Sequence, residues 1–167
     1  MVGGTLLKCG NHNQIKYWIP QIIDGSAVGA FSLTEPDTGS DTSSLKTTFE
    51  KVGNEYRING KKKWTTMGGI ANFLLLIAKN GDQTGAFIIE TDRPGIRIRE
   101  LKGLLGNRGS HVAEIELDNV IIPQNNLVGD LNFGMNIVAS TALDIGRYNT
   151  AWGGVALAQA CLEEMIS

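Results

Sequence analysis

The sequence predicts an α+β fold in which an antiparallel β-barrel or sandwich lies between helical segments at the two ends of the chain. Apolar residues recur at helical spacing near each end of the chain. In the middle, apolar and polar residues alternate with period two, and turn residues separate the alternating runs. The sequence shows no strand-helix-strand unit, which argues against a parallel doubly wound sheet. The boundaries of the β-rich part are predicted near Gly25 and Gly129.

Both ends of the chain show helical spacing of apolar residues. The first 25 residues place apolar side chains at Leu6, Ile15, Trp18, Ile19 and Ile22. The last segment, from Met135 onward, spaces Val138, Ile145 and Trp152 seven apart, with Val155, Leu162 and Ile166 near the same face. Such a stripe needs other helices to bury it, so we expect a segment of a larger protein or one subunit of a split one.

Residues 43–67 are predicted to form three strands with two reversals. The first reversal is at Gly53-Asn54 and the second at Asn59-Gly60. Asn-Gly suits a two-residue type I′ turn because both positions need positive φ. The sequence therefore predicts a hairpin at Asn59-Gly60.

The strands continue to residue 123. "FLLLIAKN" is a continuous apolar run typical of a buried strand, and a Gly81-Asp82 turn leads into "GAFIIE". "GIRIRE" follows Pro94, and "VAEIELDNVIIP" alternates apolar and acidic residues. Six to eight short strands at this spacing favour a barrel or sandwich.

Composition narrows the possible partners. The chain of 167 residues is 42% hydrophobic and has 15 Lys and Arg against 17 Asp and Glu, and its one dense basic run, residues 61–63, is too short for a nucleic-acid interface. Cys9 and Cys161 form no CxxC or Cys/His cluster, so we expect a reducing, cytoplasmic location and no metal. No apolar run reaches the roughly 20 residues of a membrane span, and no secretory signal is recognised.

The stretch "FSLTEPDTGSD", residues 31–41, is the first candidate site. Thr34 follows an apolar strand and Gly39 allows close backbone approach, so Thr34, Thr38 and Ser40 could converge on a polar ring or a phosphate. A turn that caps its own backbone has the same composition. The spacing leaves both interpretations open.

The stretch "KKKWTTMGG" is the second candidate. Trp64 could stack on a flat ligand while Thr66, two positions later, donates a hydrogen bond to it. A tryptophan on a half-buried strand is also typical of core packing.

Two polar groups have weaker signals. Arg108, Ser110 and His111 lie in a Gly-flanked loop that could bind phosphate, although solvated loop residues look the same. Asp144 and Arg147 are three apart on the last helix and could be a simple i,i+3 ion pair.

The sequence has no dinucleotide-binding glycine motif, Walker loop, serine nucleophile elbow or metal-ligand spacing.

Taken in order, four stretches resemble successive motifs of the acyl-CoA dehydrogenase family. They are "FSLTEPDTGSD", "INGKKKWTTMGGIANFLLLIAK", "RGSHVAEIELDNVIIPQNNLVG" and "LDIGRYNTAWGGVALAQACLEE". The resemblance implies that residues 1–25 end an N-terminal helical domain, residues 26–129 form a middle β-domain and residues 130–167 begin a C-terminal helical domain.

The resemblance also implies an activity. Family members bind FAD and remove the α-proton of an acyl thioester while flavin N5 accepts the β-hydrogen as hydride. The expected substrate is acyl-CoA or an acyl group on a carrier protein, the acceptor is an electron-transfer flavoprotein or similar protein, and the whole enzyme is a homo-oligomer, tetramer or dimer. The alternative is a non-catalytic β-domain module that binds an acyl group or a partner protein.

Site residues are carried over from the resemblance one by one. Thr34 would donate to the pyrimidine edge of the flavin, Trp64 would pack on the ring, and Thr66 would bond near N5. The full cofactor set is Phe31, Ser32, Leu33, Thr34, Gly39, Ser40, Trp64, Thr65 and Thr66, and the substrate set is Ser40, Asp144 and Arg147.

Two positions depart from the family pattern, and a third position, Glu35, is expected to have only a structural role. Thr65 stands where the family has Ile, and Gly146 aligns with the catalytic base of one branch, which glycine cannot replace. The commoner base position lies beyond Ser167. The resemblance implies only a structural role for Glu35, within its Thr-Glu-Pro turn.

Overall fold

The computed structural model describes residues 1–166, which form helices at both ends and strands between them. The helices are α1 (Val2–Cys9), α2 (His12–Asp24) and α3 (Ser140–Ile166), the last preceded by a π-helical segment, Gly134–Ala139. The strands are β1 (Gly29–Ser32), β2 (Thr48–Val52), β3 (Glu55–Thr65), β4 (Phe73–Asn80), β5 (Gln83–Glu90), β6 (Ile96–Glu100), β7 (Ala113–Pro123) and β8 (Leu127–Val128). The predicted α+β class is confirmed.

The strands form one sheet, in the order β6-β7-β3-β2-β4-β5-β8, with β1 beside β4. The end strands β6 and β8 do not pair, so the sheet does not close, and the predicted barrel or sandwich is not confirmed. The predicted antiparallel pairing holds for five strand pairs and is wrong for two. β4 pairs in parallel with β1, with Gly29 opposite Phe73, and with β2, with Thr48 opposite Lys79. Period-two alternation does not encode strand direction, because side chains alternate in both kinds of sheet.

Two apolar cores lie on the two faces of β4. One contains Leu75 and the helices α1 and α2, where the Trp18 and Phe73 rings are 4.1 Å apart. The other contains Leu74 and side chains of β2, β3, β5 and β7. The strands β2 and β4 lie between β3 and β5 in the sheet, yet the ring of Phe87 on β5 lies only 5.1 Å from the ring of Tyr56 on β3. The sheet therefore bends over this second core. Burial on both faces confirms the buried strand predicted from "FLLLIAKN".

The N-terminal segment forms two helices with a break at Gly10. Asn11 and Gln14 form a capping box that begins α2, and Gly25 ends the helix in the left-handed conformation. Gln14 also donates through Nε2 to the carbonyls of Asn125, at 2.9 Å, and Leu127, at 2.8 Å. These bonds hold α2 against the segment that enters β8.

The last helix packs on the rest of the molecule only through its first turns. Val138 and Ala142 are buried, whereas Trp152, Val155 and Leu162 are exposed in the described chain. No helix within residues 1–166 is long and apolar enough to cross a membrane.

The turn at Gly53-Asn54 is confirmed, since Val52 pairs with Glu55. The hairpin at Asn59-Gly60 is wrong, because β3 runs through both residues with a register shift between Ile58 and Gly60. Gly60 has φ 148°, and a Cβ there would lie 2.6 Å from the Cα of Thr47. The glycine therefore permits close approach of another backbone segment rather than a turn.

We predict that Gly60→Ala lowers the free energy of unfolding by about 3 kcal/mol, from backbone strain and overpacking combined. Gly53→Ala is the control, because Gly53 also has positive φ but a Cβ there meets nothing within 4 Å. We expect the control to cost only about 1–2 kcal/mol. Equal losses in urea unfolding would show that the contact with Thr47 contributes nothing.

Candidate functional site

A cleft of about 350 Å³ lies beside the ends of β1 and β3, and we call it the β1–β3 cleft. Its walls are mostly apolar. The lining residues are Met1, Val2, Gly29, Phe31, Leu33, Thr34, Lys63, Trp64, Thr66, Met67 and Leu143. The cleft brings together the two stretches that the sequence singled out, residues 31–34 and 64–66.

Trp64 is turned into this cleft by a β-bulge. Lys62 pairs with Ile115 and Thr65 with Ala113, so Lys63 and Trp64 both lie opposite the single residue Glu114. Trp64 has φ 59°, which is rare for a bulky side chain, and 53% of it is exposed. The side chain is therefore not part of the core, and Lys63 Nζ lies 5.1 Å from its ring centroid.

The bulge also decides which hydroxyls face the cleft. Thr65 is buried, and its Oγ1 lies 2.9 Å from the Oγ of Ser32, so these two side chains bond each other. Thr34 and Thr66 line the cleft, and within residues 1–166 neither side chain makes a hydrogen bond. Their hydroxyls are free to bind a ligand.

The second half of "FSLTEPDTGSD" lies away from the cleft and forms a turn. Glu35 and Thr38 pair through their backbones. Asp41 accepts hydrogen bonds from the hydroxyls of Ser43 and Ser44, which lower its pKa. Gly39 and Ser40 are exposed and do not line the cleft. The structure therefore confirms the self-capped turn for residues 35–44, and it places Phe31, Leu33 and Thr34 in the cleft wall, where the ligand contact stays a prediction.

Beneath the cleft wall lies a buried ion pair between Lys62 of β3 and Glu35. Lys62 Nζ donates to Glu35 Oε1 at 2.8 Å and to the carbonyl of Leu33 at 3.0 Å, and both charged side chains are almost fully buried. Glu35 also accepts from the backbone N–H groups of Lys46, at 2.6 Å, and Thr47, at 2.9 Å. The pair thus joins β3 to the cleft wall and to the loop that enters β2.

Burial and hydrogen bonding together set the protonation of this pair. Burial lowers the pKa of Lys62 to about 8, although the bond and charge of Glu35 oppose the shift. Burial alone raises the pKa of Glu35, but the hydrogen bonds from Lys62 and Thr47 outweigh it and leave the pKa below its ordinary value. Both groups are therefore charged near neutral pH.

The loop between β6 and β7 supports the cleft from outside. Met67, in the left-handed conformation with φ 63°, donates to the carbonyl of Ser110 at 2.7 Å, and Gly69 donates to that of His111 at 2.9 Å. The ring of His111 lies 3.0 Å from Glu100, and Arg108 donates to the carbonyl of Leu104. None of Arg108, Ser110 and His111 lines the cleft.

The substrate residues predicted on α3 lie outside the cleft. Asp144 and Arg147 form an exposed ion pair at 3.1 Å, and Leu143 alone of this helix lines the cleft. A Cβ at Gly146 would lie 2.3 Å from Met1 Cε, so a longer side chain there requires Met1 to move. No cluster of His, Cys, Asp and Glu within the described residues could hold a metal ion.

Residues 30–120 match the family model described as "Acyl-CoA dehydrogenase, middle domain". The chain belongs to the acyl-CoA dehydrogenase family. It is 35% identical over 166 residues to a 2-methylacyl-CoA dehydrogenase of Solanum tuberosum. This alignment covers 96% of the present chain and 40% of the relative. The chain spans about 40% of the length of this and other curated relatives.

Two solved structures share the fold. A glutaryl-CoA dehydrogenase in complex with glutaryl-CoA has a TM-score of 0.86 and 35% identity, over 96% of this chain and 42% of its own. A glutaryl-CoA dehydrogenase of Mycobacterium smegmatis in complex with FADH2 has a TM-score of 0.73 and 32% identity, over 76% of this chain and 33% of its own.

Sequence reasoning missed the buried role of Lys62. The sequence identified residues 61–63 only as a basic run too short for a nucleic-acid interface, and it gave Glu35 only a place in its turn. The alternation of β3 was the available signal, because Tyr56, Ile58 and Lys62 occupy the buried face of the strand. The family resemblance implied a structural role for Glu35, and the buried ion pair with Lys62 agrees with that role.

We predict that Lys62→Met lowers the free energy of unfolding by about 3–5 kcal/mol near pH 7, because Glu35 stays buried without a counter-charge. The folded protein binds fewer protons at Lys62 than the unfolded chain between pH 8 and 10.5, so the stability of the wild type rises there relative to the variant. The slope of this difference approaches about 1.4 kcal/mol per pH unit.

Urea unfolding at a series of pH values measures both effects. Lys61→Met is the matched control, since Lys61 makes an exposed ion pair with Glu116 and should contribute less than about 1 kcal/mol. A pH-independent difference between wild type and Lys62→Met would contradict the lowered pKa.

Proposed function

We propose that this chain forms the flavin-binding part of an FAD-dependent acyl-thioester dehydrogenase. The observation that carries the proposal is Trp64, held exposed at positive φ beside the free hydroxyls of Thr34 and Thr66. Backbone strain of this kind persists where the surrounding structure enforces it, and it clusters at ligand sites. The family relationship supports FAD as the ligand.

The cleft fits one end of a flavin ring system. Trp64 and Phe31 supply flat apolar surface, and Thr34 and Thr66 supply hydrogen-bond donors to the polar ring edge. FAD, when bound, would supply the acceptor for a hydride from the substrate. The chain's own part is to hold the ring in register and to exclude water with the apolar wall.

The base that takes the α-proton belongs elsewhere in this proposal. The residues that line the β1–β3 cleft include the cation Lys63 but no carboxylate. Gly146, the aligned position of one family branch, has no side chain to titrate. We therefore place the base outside residues 1–167, on sequence that the longer relatives also contain.

The partners follow from the same proposal. We propose acyl-CoA or a carrier-bound acyl group as substrate, an electron-transfer flavoprotein or similar protein as acceptor, and a dimer or tetramer as the assembly. Asp144 and Arg147 would reach substrate only if it extends beyond the cleft along α3, and Gly39 and Ser40 would reach ligand at its outer rim. The reducing, cytoplasmic location stays a prediction from Cys9 and Cys161.

A second candidate function is a non-catalytic module that binds an acyl group or a partner protein. The cleft's lack of a carboxylate favours it, because the reaction needs a base. The two functions differ in redox chemistry, so one experiment separates them.

We predict that the intact gene product binds FAD and that an acyl thioester bleaches the visible flavin absorption under anaerobic conditions. Reduction of the ring by substrate removes that band, whereas simple binding only shifts it. FAD binding without bleaching by any acyl-CoA or carrier-bound acyl group would favour the non-catalytic module. An intact protein that binds no FAD would overturn both the cofactor and the reaction.

We predict that Thr34→Val weakens FAD binding about tenfold, through loss of one hydrogen bond to a polar ring edge. Trp64→Ala should weaken it by at least about tenfold, through loss of stacking and buried area. Thr48→Val is the control, since Thr48 is exposed on β2 and away from the cleft. Fluorescence titration of the apoprotein with FAD measures all three. A weakening by the control equal to that of Thr34→Val would remove the case for Thr34 as a ligand.

A further inference from the structure

Lys62 is the one lysine within residues 1–166 whose side chain is fully buried. A buried ammonium is costly, and an apolar side chain of similar size often serves packing as well or better. Lys62 also does more than neutralise Glu35, because its Nζ donates to the carbonyl of Leu33 at 3.0 Å. That second bond places a positive charge against the backbone of the cleft wall.

The Leu33 carbonyl shares its peptide group with the N–H of Thr34. Residues 1–166 contain no cis peptide bond, so this N–H points away from the carbonyl and hence away from Lys62. Leu33 and Thr34 both line the β1–β3 cleft. Within residues 1–166 no acceptor bonds the Thr34 N–H, whereas the Thr34 carbonyl accepts from Lys63 N–H at 2.8 Å.

A charged donor on one side of a peptide group strengthens the donor on its other side. The ammonium draws electron density toward the Leu33 oxygen, and the Thr34 N–H becomes more positive. Solvent screens this polarisation little, because the Lys62 side chain is fully buried. The charge of Lys62 therefore reaches the cleft through one peptide group.

We propose that Lys62 is a positioning residue that, through the Leu33–Thr34 peptide, makes the cleft favour the reduced, more negatively charged state of a bound flavin. This inference rests on the proposed function, because it requires FAD in the cleft. Glu35 has the supporting part: it holds Lys62 in place and is itself fixed by the N–H groups of Lys46 and Thr47.

The test compares FAD affinity in the oxidised and reduced states, in the intact gene product and its variants. Lys62→Met removes the charge behind Leu33. The double variant Glu35→Gln/Lys62→Met removes it without leaving a buried unpaired carboxylate, which guards against failure to fold. Lys61→Met removes a neighbouring charge that is exposed and pairs with Glu116, and it serves as the matched control.

We expect both Lys62 variants to bind reduced FAD more weakly relative to oxidised FAD by about tenfold, which is a fall of about 30 mV in the midpoint potential of the two-electron couple. Lys61→Met should keep the wild-type potential. The midpoint potential is the decisive readout, because a merely structural role would weaken both states equally and leave it unchanged.

The outcomes separate the two claims. Wild-type protein that binds FAD, with the potential of the double variant equal to that of the wild type, overturns the role of Lys62 and leaves the proposed function standing. Wild-type protein that binds no FAD overturns both. A fall of similar size in Lys61→Met also overturns the inference, since the effect would then be general surface charge.

Discussion

Lys62 and Glu35 form the only ion pair within residues 1–166 in which both side chains are buried, and Lys62 also binds the cleft wall at the carbonyl of Leu33. Three segments far apart in sequence meet at these two side chains: strand β3, the wall at Leu33 and the loop at residues 46–47. The carboxylate satisfies two backbone N–H groups and the ammonium satisfies a backbone carbonyl. Every bond of the pair therefore also orders a loop.

The same strand supplies the ligand wall through an irregularity. β3 presents Lys62 inward and, after the bulge, Thr65 inward again, which leaves Trp64 outside the core. An uninterrupted strand would have placed Trp64 on the face of Lys62, because side chains two apart share a face. The backbone strain at Trp64 therefore arises because Lys62 is buried while Trp64, two positions later, is exposed.

In the described chain, α3 presents Trp152, Val155 and Leu162 to solvent. Because the curated relatives are about two and a half times as long, we treat the β1–β3 cleft as one wall of a larger site. This wall holds the groups suited to a flavin ring but not a group suited to proton abstraction. The proposed function accordingly places cofactor binding in this chain and the catalytic base elsewhere.

The sequence by itself determined the local features and the family. A continuous apolar run located β4, shorter apolar runs between turn residues located β5 to β7, and Gly-Asn located the turn at residues 53–54. The ordered motifs placed Thr34 and Trp64 in one expected flavin site, and both residues line the β1–β3 cleft. These signals are local or depend on order, so they are readable along the chain. Only the tertiary structure decided four features: strand direction in the sheet, the continuation of β3 through Gly60, the bulge at Trp64 and the burial of Lys62. Each depends on a segment distant in sequence, namely β1, Thr47, Glu114 and Glu35, and no spacing within one strand reveals such a partner.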